Sequence, residues 1–192
     1  KVKVPPRNEA QDADPLLVAA QALGAEFAQV PEVPIPLPLG QAGVAGLVGR
    51  RTLVLETLRT LCMQLATHHA PDEVRIVAVY PADETHLWEW LRWLPHTWSD
   101  GQRRRYLACD RDGAHALLSG LYDLLSRRRL AAEDAERARP LPALVFILGD
   151  PALVQNEPIL PVLVRGGAAL GAYTIVTADD VPALPKGCQA VV

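Results

Sequence analysis

The segment at residues 42–52 (AGVAGLVGRRT) constrains the fold most strongly, because a buried strand, a glycine and a helix follow one another there. The apolar run ends at Val48, Gly49 follows it, and a helical pattern of apolar residues extends from Thr52 to His68. A strand, a glycine turn and a helix form the geometry of a phosphate-binding loop. The segment therefore predicts a domain of the nucleotide-binding type.

The residues that nucleotide chemistry needs are nevertheless missing from this segment. The Walker A motif GxxxxGK[ST] supplies backbone amides, a lysine for the phosphates and a hydroxyl for Mg²⁺. With Gly49 as the last glycine, Arg50 and Arg51 stand at the lysine and hydroxyl positions; with Thr52 as the hydroxyl, Arg51 replaces the lysine. Gly43 fits the first glycine in neither register. The two arginines could bind phosphate, fill the nucleotide space with a guanidinium, or simply be solvated.

An apolar strand that ends in an acidic residue would be the second element of such a site. Residues 143–148 (ALVFIL) form the clearest buried strand, and Gly149-Asp150-Pro151 follow it. Asp150 comes one residue late for a Mg²⁺ ligand, and no glutamate follows it to polarise a water molecule. We expect Asp150 to begin a turn or to cap the next helix, with magnesium binding as the alternative.

Strands and helices alternate along residues 36–192, which predicts an α/β fold with a mostly parallel sheet and helices on both faces. Further strands are predicted at residues 44–48, 74–80, 106–109, 172–177 and 189–192, and further helices at 84–90, 112–130 and within 158–170. Residues 1–35 are predicted to be a linker with a helix that begins at Asp14-Pro15. Prolines restrict residues 30–38 to a sheet edge at most.

Composition and spacing argue against several classes of function. The net charge of −3 over 192 residues gives no electrostatic basis for binding nucleic acid, so we expect no such partner. The three cysteines form no CxxC motif, and the histidines lack metal-ligand spacing, so we expect free thiols and no metal site. We find no motif for nucleophilic catalysis and expect no catalytic residue. Because the chain contains no apolar run of membrane-spanning length, any membrane contact is expected through segments outside it.

Four tryptophans lie close together, at Trp88, Trp90, Trp93 and Trp98. On one helix they would point in different directions, so some must pack inward and others face a neighbour. Tryptophan is favoured at interfaces because it combines a large apolar area with one polar N–H group. We therefore consider these residues and His96 as candidates for a partner interface, with core anchoring as the alternative, and we expect His96 to hydrogen-bond a loop.

Several stretches together resemble a known family. The most specific are residues 65–76 (LATHHAPDEVRI) and 88–96 (WEWLRWLPH), and residues 170–188 (LGAYTIVTADDVPALPKGC) add to them. They resemble the ATPases of type VII secretion, the EccC/EssC group, which are related to the FtsK and SpoIIIE translocases. The resemblance covers residues 36–192 and is to the domain between the transmembrane helices and the first FtsK-type ATPase module.

This resemblance implies a RecA-like, P-loop NTPase-type three-layer sandwich with a degenerate nucleotide site. The site would comprise Gly49, Arg50, Arg51, Thr52, Asp150 and Thr177, the last at the end of the strand that carries a sensing polar residue in active members. The implied function is a non-catalytic structural or regulatory domain that couples a membrane stalk to active ATPase domains in protein export. Its partners would be other subunits or the downstream ATPase domains, at the cytoplasmic face of the cell membrane. The alternatives are weak binding of ATP and magnesium with little or no hydrolysis, and an accessory domain of a DNA translocase.

Overall fold

The computed structural model describes residues 15–28, 36–134 and 142–192. The chain divides into two units, Lys1–Pro36 and Leu37–Val192. In the first unit, helix α1 (Pro15–Glu26) begins at the proline that the sequence places in the first helical position. Asp14, at the predicted start of this helix, the first 13 residues of the predicted linker and most of the proline-rich stretch lie outside the described residues. Among the described residues, no helix is both long enough and apolar enough to cross a bilayer.

The second unit is built on a six-stranded sheet in which all strand pairs are parallel. The strands are β1 (Val44–Val48), β2 (Val74–Val79), β3 (Leu107–Ala108), β4 (Ala143–Leu148), β5 (Ala172–Ala178) and β6 (Ala190–Val191). Their order in the sheet is β3-β2-β4-β5-β1-β6, so β5 lies between β1 and β4. Every strand predicted from the sequence is present, with small differences at its ends.

Helices cover the sheet on both faces. They are α2 (Leu39–Ala42), α3 (Arg51–His68), α4 (Thr85–Trp88), α5 (Arg111–Asp134) and α6 (Ile159–Gly166). On one face, α3 packs its buried residues Val54 and Leu58 against the sheet. On the other face, α5 and α6 do so with Leu118, Leu125 and Leu163.

Strand β4 shows why the sheet needs a helical layer on each side. Leu144, Phe146 and Leu148 belong to the core under α5 and α6, whereas Val145 and Ile147 belong to the core under α3. All five side chains are 2% exposed or less. A strand that is buried on both faces has no polar position, which explains its unbroken apolar sequence. The predicted three-layer α/β architecture is confirmed.

The tryptophan-rich segment differs from its predicted form. A helix is predicted at residues 84–90, but α4 is a single turn that is followed by 3₁₀ turns at Glu89–Trp93 and Pro95–Thr97. Pro95 has no N–H group to continue a helix, and it restricts Leu94 to an extended conformation. The buried Trp88 ends α4, whereas Trp90 and Trp93 lie in the first of the 3₁₀ turns.

Candidate functional site

A cleft of about 560 Å³ lies at the carboxyl edge of the sheet. Its lining comes from the segments that follow four strands, and includes Arg51 after β1, Glu84 after β2, Asp150 after β4 and Thr177 near the end of β5. Ligands of open α/β sheets bind at this edge, where the loops leave the strands. Three of the six residues predicted to hold a nucleotide, Arg51, Asp150 and Thr177, therefore lie in one cleft.

The connection from β1 to α3 is much shorter than a phosphate-binding loop. Strand β1 ends at Val48 and α3 begins at Arg51, so two residues, Gly49 and Arg50, connect them. A Walker A loop has four residues between its glycines, and their amides surround the phosphates. Gly49 has a φ of +142°, but a Cβ atom there would meet nothing within 4 Å. The glycine thus serves the sharp backbone turn.

Arg51 is held on several sides by the lining of the cleft. Its Nε donates to Glu84 Oε1 at 2.8 Å, and its Nη2 donates to Oε2 of the same carboxylate. Its Nη1 donates to Thr177 Oγ1 at 2.9 Å, and this hydroxyl donates to the carbonyl oxygen of Gly149 at 2.9 Å. The guanidinium carbon also lies 6.0 Å from the ring centroid of Trp88, within the range of a cation–π contact.

Glu84 is the functional-site residue that the sequence analysis missed. The hydrogen bonds from Arg51 lower the pKa of its carboxyl group, burial opposes this effect, and the Trp88 indole N–H, 3.2 Å from Oε2, adds to the lowering. Glu84 follows β2 along the chain and Arg51 follows β1, so their meeting at one sheet edge is a consequence of parallel strands. An acidic residue shortly after β2 is the signal that could have identified it.

We expect Arg51→Ala to lower the free energy of unfolding by about 1–2 kcal/mol at pH 7, because it leaves a part-buried carboxylate without its partner. The side chains of Arg51 and Glu84 are 29% and 22% exposed, so solvent screens the pair only in part. Arg50→Ala is the matched control, since it removes the same charge from an exposed neighbour. Urea denaturation of both variants measures the difference, and equal losses at pH 7 would contradict the prediction.

The same pair predicts a pH dependence. Because the folded-state pKa of Glu84 is lowered, its contribution is fully present above the unfolded-state value of about 4.3 and is lost as the pH falls through the folded-state value. The difference between wild type and Arg51→Ala should therefore shrink below about pH 4. A difference that stays constant from pH 7 to pH 3 would show that the ion pair does not stabilise the fold.

The other predicted nucleotide-site residues have different roles. Asp150 caps the 3₁₀ turn Pro151–Leu153, because its Oδ1 accepts a hydrogen bond from the backbone N–H of Ala152 at 2.8 Å. Gly49 and Arg50 line a smaller hollow of about 110 Å³. Thr52 is exposed on α3 and lines neither space. Since α3 begins directly at Arg51, the next residue on the helix points away from the cleft, and the predicted set does not form one site.

Two of the partner-interface candidates are core residues. Trp88 is 1% exposed and stacks on Tyr80, with ring centroids 5.1 Å apart and an interplanar angle of 5°. His96 is 3% exposed, and its Nε2 donates to the carbonyl oxygen of His69 at 2.8 Å, which is the expected bond to a loop. This burial favours the alternative of core anchoring for these two side chains, because neither presents a surface to a partner.

The other three tryptophans are more accessible. Trp90 and Trp98 are half-buried, and arginine guanidinium groups lie over their rings, Arg59 at 5.8 Å and Arg105 at 3.9 Å from the centroids. Trp93 is 85% exposed, the largest exposure among the large hydrophobic side chains that the structure describes. Trp93 is therefore the strongest remaining candidate for a contact with a partner.

Among the three cysteines, Cys62 on α3 is the buried one, and Cys109 and Cys188 are half-buried. Cys62 is buried, and burial raises the pKa of its thiol to about 12, so it stays protonated and unreactive. Within residues 15–28, 36–134 and 142–192, no group of three histidine, cysteine or acidic side chains is arranged to hold a metal ion.

The chain is similar in sequence to several type VII secretion proteins. No protein-family model matches the chain. The ESX secretion system protein EccC of Geobacillus thermodenitrificans is 30% identical over 182 residues, and the type VII secretion system protein EssC of Staphylococcus aureus is 26% identical over 186 residues. The ESX secretion system protein YukB of Bacillus subtilis is 27% identical over 182 residues. Each match covers 95% of this chain but spans only 12% of the relative's length.

Two solved structures share the fold. The cytoplasmic domain of EssC superposes with a TM-score of 0.61 at 16% identity, over 80% of this chain and 33% of that one. Thermomonospora curvata EccC (ATPases 2 and 3), solved in complex with a signal sequence peptide, gives a TM-score of 0.59 at 17% identity, over 82% and 31% of the two chains. At these identities the similarity establishes the fold alone, a RecA-like three-layer α/β fold.

Proposed function

This chain is a homologue of one segment of the type VII secretion proteins EccC and EssC, and on that premise we propose that it is a non-catalytic, ATPase-like domain of a secretion motor. Its work would be structural or regulatory: it would couple a membrane stalk to active ATPase domains during protein export. As part of a membrane-anchored protein, it would lie at the cytoplasmic face of the cell membrane.

The main support for a loss of ATP hydrolysis is the two-residue connection between β1 and α3. Backbone amides of a longer loop surround the phosphates in an active P-loop, and a lysine and a hydroxyl then complete the site. Here Arg51 points into the cleft and is engaged by Glu84 and Thr177. The acidic residue after β4, Asp150, is engaged as a cap. These contacts support an ATPase scaffold without the groups that position and hydrolyse ATP.

The exposed side chain of Trp93 supports a role in assembly. The relatives are much longer than this chain, so other parts of such a protein are available as partners. Trp93 offers a large, exposed and rigid apolar side chain, of the kind that anchors protein interfaces. We propose that its partner is another subunit or a downstream ATPase domain of the secretion machine.

Thermal unfolding with and without Mg-ATP tests the loss of nucleotide binding. We expect no saturable rise in Tm up to millimolar nucleotide, and no phosphate release above that of buffer. A ligand at 100 times its Kd would add about 2.7 kcal/mol to the free energy of unfolding, a shift of several degrees for a domain of this size. A saturable shift of that order would refute the proposal and favour the alternative of a weak ATP-binding domain. Magnesium sulfate at equal ionic strength is the control.

A further inference from the structure

We propose that the Glu84 carboxylate is an internal ligand that occupies the position of a phosphate group on Arg51. The cleft is then an anion-binding site closed by its own chain, and the class of ligand that it excludes is a polyphosphate. This inference rests on the proposed function, in which the cleft corresponds to a former nucleotide site. It adds the identity of the group that closes the cleft.

The chemistry of the pair is the first argument. A guanidinium presents a planar fork of donors that fits the two oxygens of a carboxylate and of a phosphate in the same bidentate way. Arg51 makes such a two-pronged contact with Glu84 through Nε and Nη2. Arg51 is also the first residue of the 18-residue helix α3. The free backbone N–H groups and the dipole at the start of a helix favour anionic groups there. Glu84 therefore satisfies the donors that a phosphate would need.

The rigid support of Glu84 is the second argument. The residue ends the 3₁₀ turn Ala82–Glu84 and directly precedes α4. Its Oε2 also accepts from the indole N–H of Trp88, whose ring is fixed in the core by Tyr80. The carboxylate is thus oriented from two sides toward Arg51, and an incoming anion must displace it to reach the guanidinium.

The remaining charged groups of the cleft also disfavour the binding of an anion. Asp150 and Asp179 also line it, so Arg51 is the single cation among the residues that the structure describes in this lining. With Glu84 bound to that cation, the cleft repels anions. Removal of the Glu84 charge leaves the Arg51 guanidinium available to an incoming anion. The two aspartates repel a polyphosphate less strongly as its magnesium complex than as the free anion, because the metal ion neutralises part of its charge.

Binding of magnesium triphosphate to the full chain, measured by titration calorimetry, tests this inference. We expect Glu84→Gln to bind the probe at least about tenfold more tightly than wild type, which corresponds to one charge-assisted contact regained. Glu89→Gln is the matched control, because Glu89 lies on the same segment and pairs with Arg92 at the surface. The gain should disappear when Arg51→Gln is added to Glu84→Gln.

A folded Glu84→Gln variant that binds the probe no more tightly than wild type would overturn the inference. Near-UV circular dichroism establishes that the variant is folded. If it does not fold, Glu84→Asp replaces it: the charge stays but the side chain is one methylene shorter, so the two-pronged contact is weakened and tighter binding than wild type is still expected. Wild-type affinity in a folded Glu84→Asp would then be the contrary result. Tight binding by the wild type itself would instead refute the proposed function.

Discussion

Trp88→Ala is expected to lower the free energy of unfolding by about 3–5 kcal/mol, whereas Trp93→Ala should change it by less than about 0.5 kcal/mol. The two residues belong to one short segment but differ in exposure, at 1% for Trp88 and 85% for Trp93. Trp88 also stacks on Tyr80 and donates to Glu84, and both contacts are lost with its ring. Urea denaturation followed by far-UV circular dichroism measures both values.

Similar losses for the two variants would show that the segment packs differently from the structure. Trp93→Ala has a second use, because a fold that it leaves unchanged allows the partner proposal to be tested. Reduced assembly of the proposed secretion motor by a stable Trp93→Ala protein would support a docking role for this side chain.

Gly149→Ala is expected to destabilise the domain by about 3 kcal/mol through overpacking. A Cβ atom at this position would lie 2.6 Å from Cζ2 of Trp88 and 3.1 Å from the carbonyl oxygen of Val79. Neither neighbour can easily yield, because the Trp88 ring is buried and Val79 belongs to a central strand. Gly166→Ala is the control, since a Cβ atom there would meet nothing within 4 Å. Thermal and urea denaturation of both variants test the prediction.

A double-mutant cycle identifies the cause of the Gly149→Ala effect. Trp88→Phe removes the part of the ring that the new methyl group would contact, so the loss from Gly149→Ala should be smaller by about 1 kcal/mol or more in this background. Strict additivity of the two substitutions would show that contact with the Trp88 ring does not cause the destabilisation.

The layered sheet could be predicted because each strand is marked by a pattern of consecutive residues. Residues of β4 alternate between two cores and are apolar on both sides, so the run ALVFIL predicts a buried strand without knowledge of any distant contact. The strand, glycine and helix around Gly49 likewise appear in consecutive residues. The short connection between them also explains why the predicted nucleotide-site residues separate in space.

The contacts that define the cleft could not be predicted in this way. Arg51 and Glu84 are 33 residues apart, and only the order of the strands brings them together. The sequence allowed a guanidinium in the nucleotide space as one alternative, but the position of Glu84 shortly after β2 was the only hint of the carboxylate that holds it. The tryptophans raise a related difficulty, because apolar periodicity does not reveal that α4 ends at the buried Trp88 and that a 3₁₀ turn carries the exposed Trp93.

The segment from Ala82 to Trp93 joins the interior of the cleft to the outer surface of the domain within a few turns of backbone. Near one end, Glu84 accepts hydrogen bonds from Arg51, and in the middle Trp88 packs closely against Gly149. At the other end, Trp93 faces solvent. If a partner's contact with Trp93 alters the Arg51–Glu84 ion pair, thermodynamic linkage makes that effect reciprocal. In that case, an anion that displaces Glu84 from Arg51 would change the affinity for the partner by the same factor by which the partner changes the affinity for the anion.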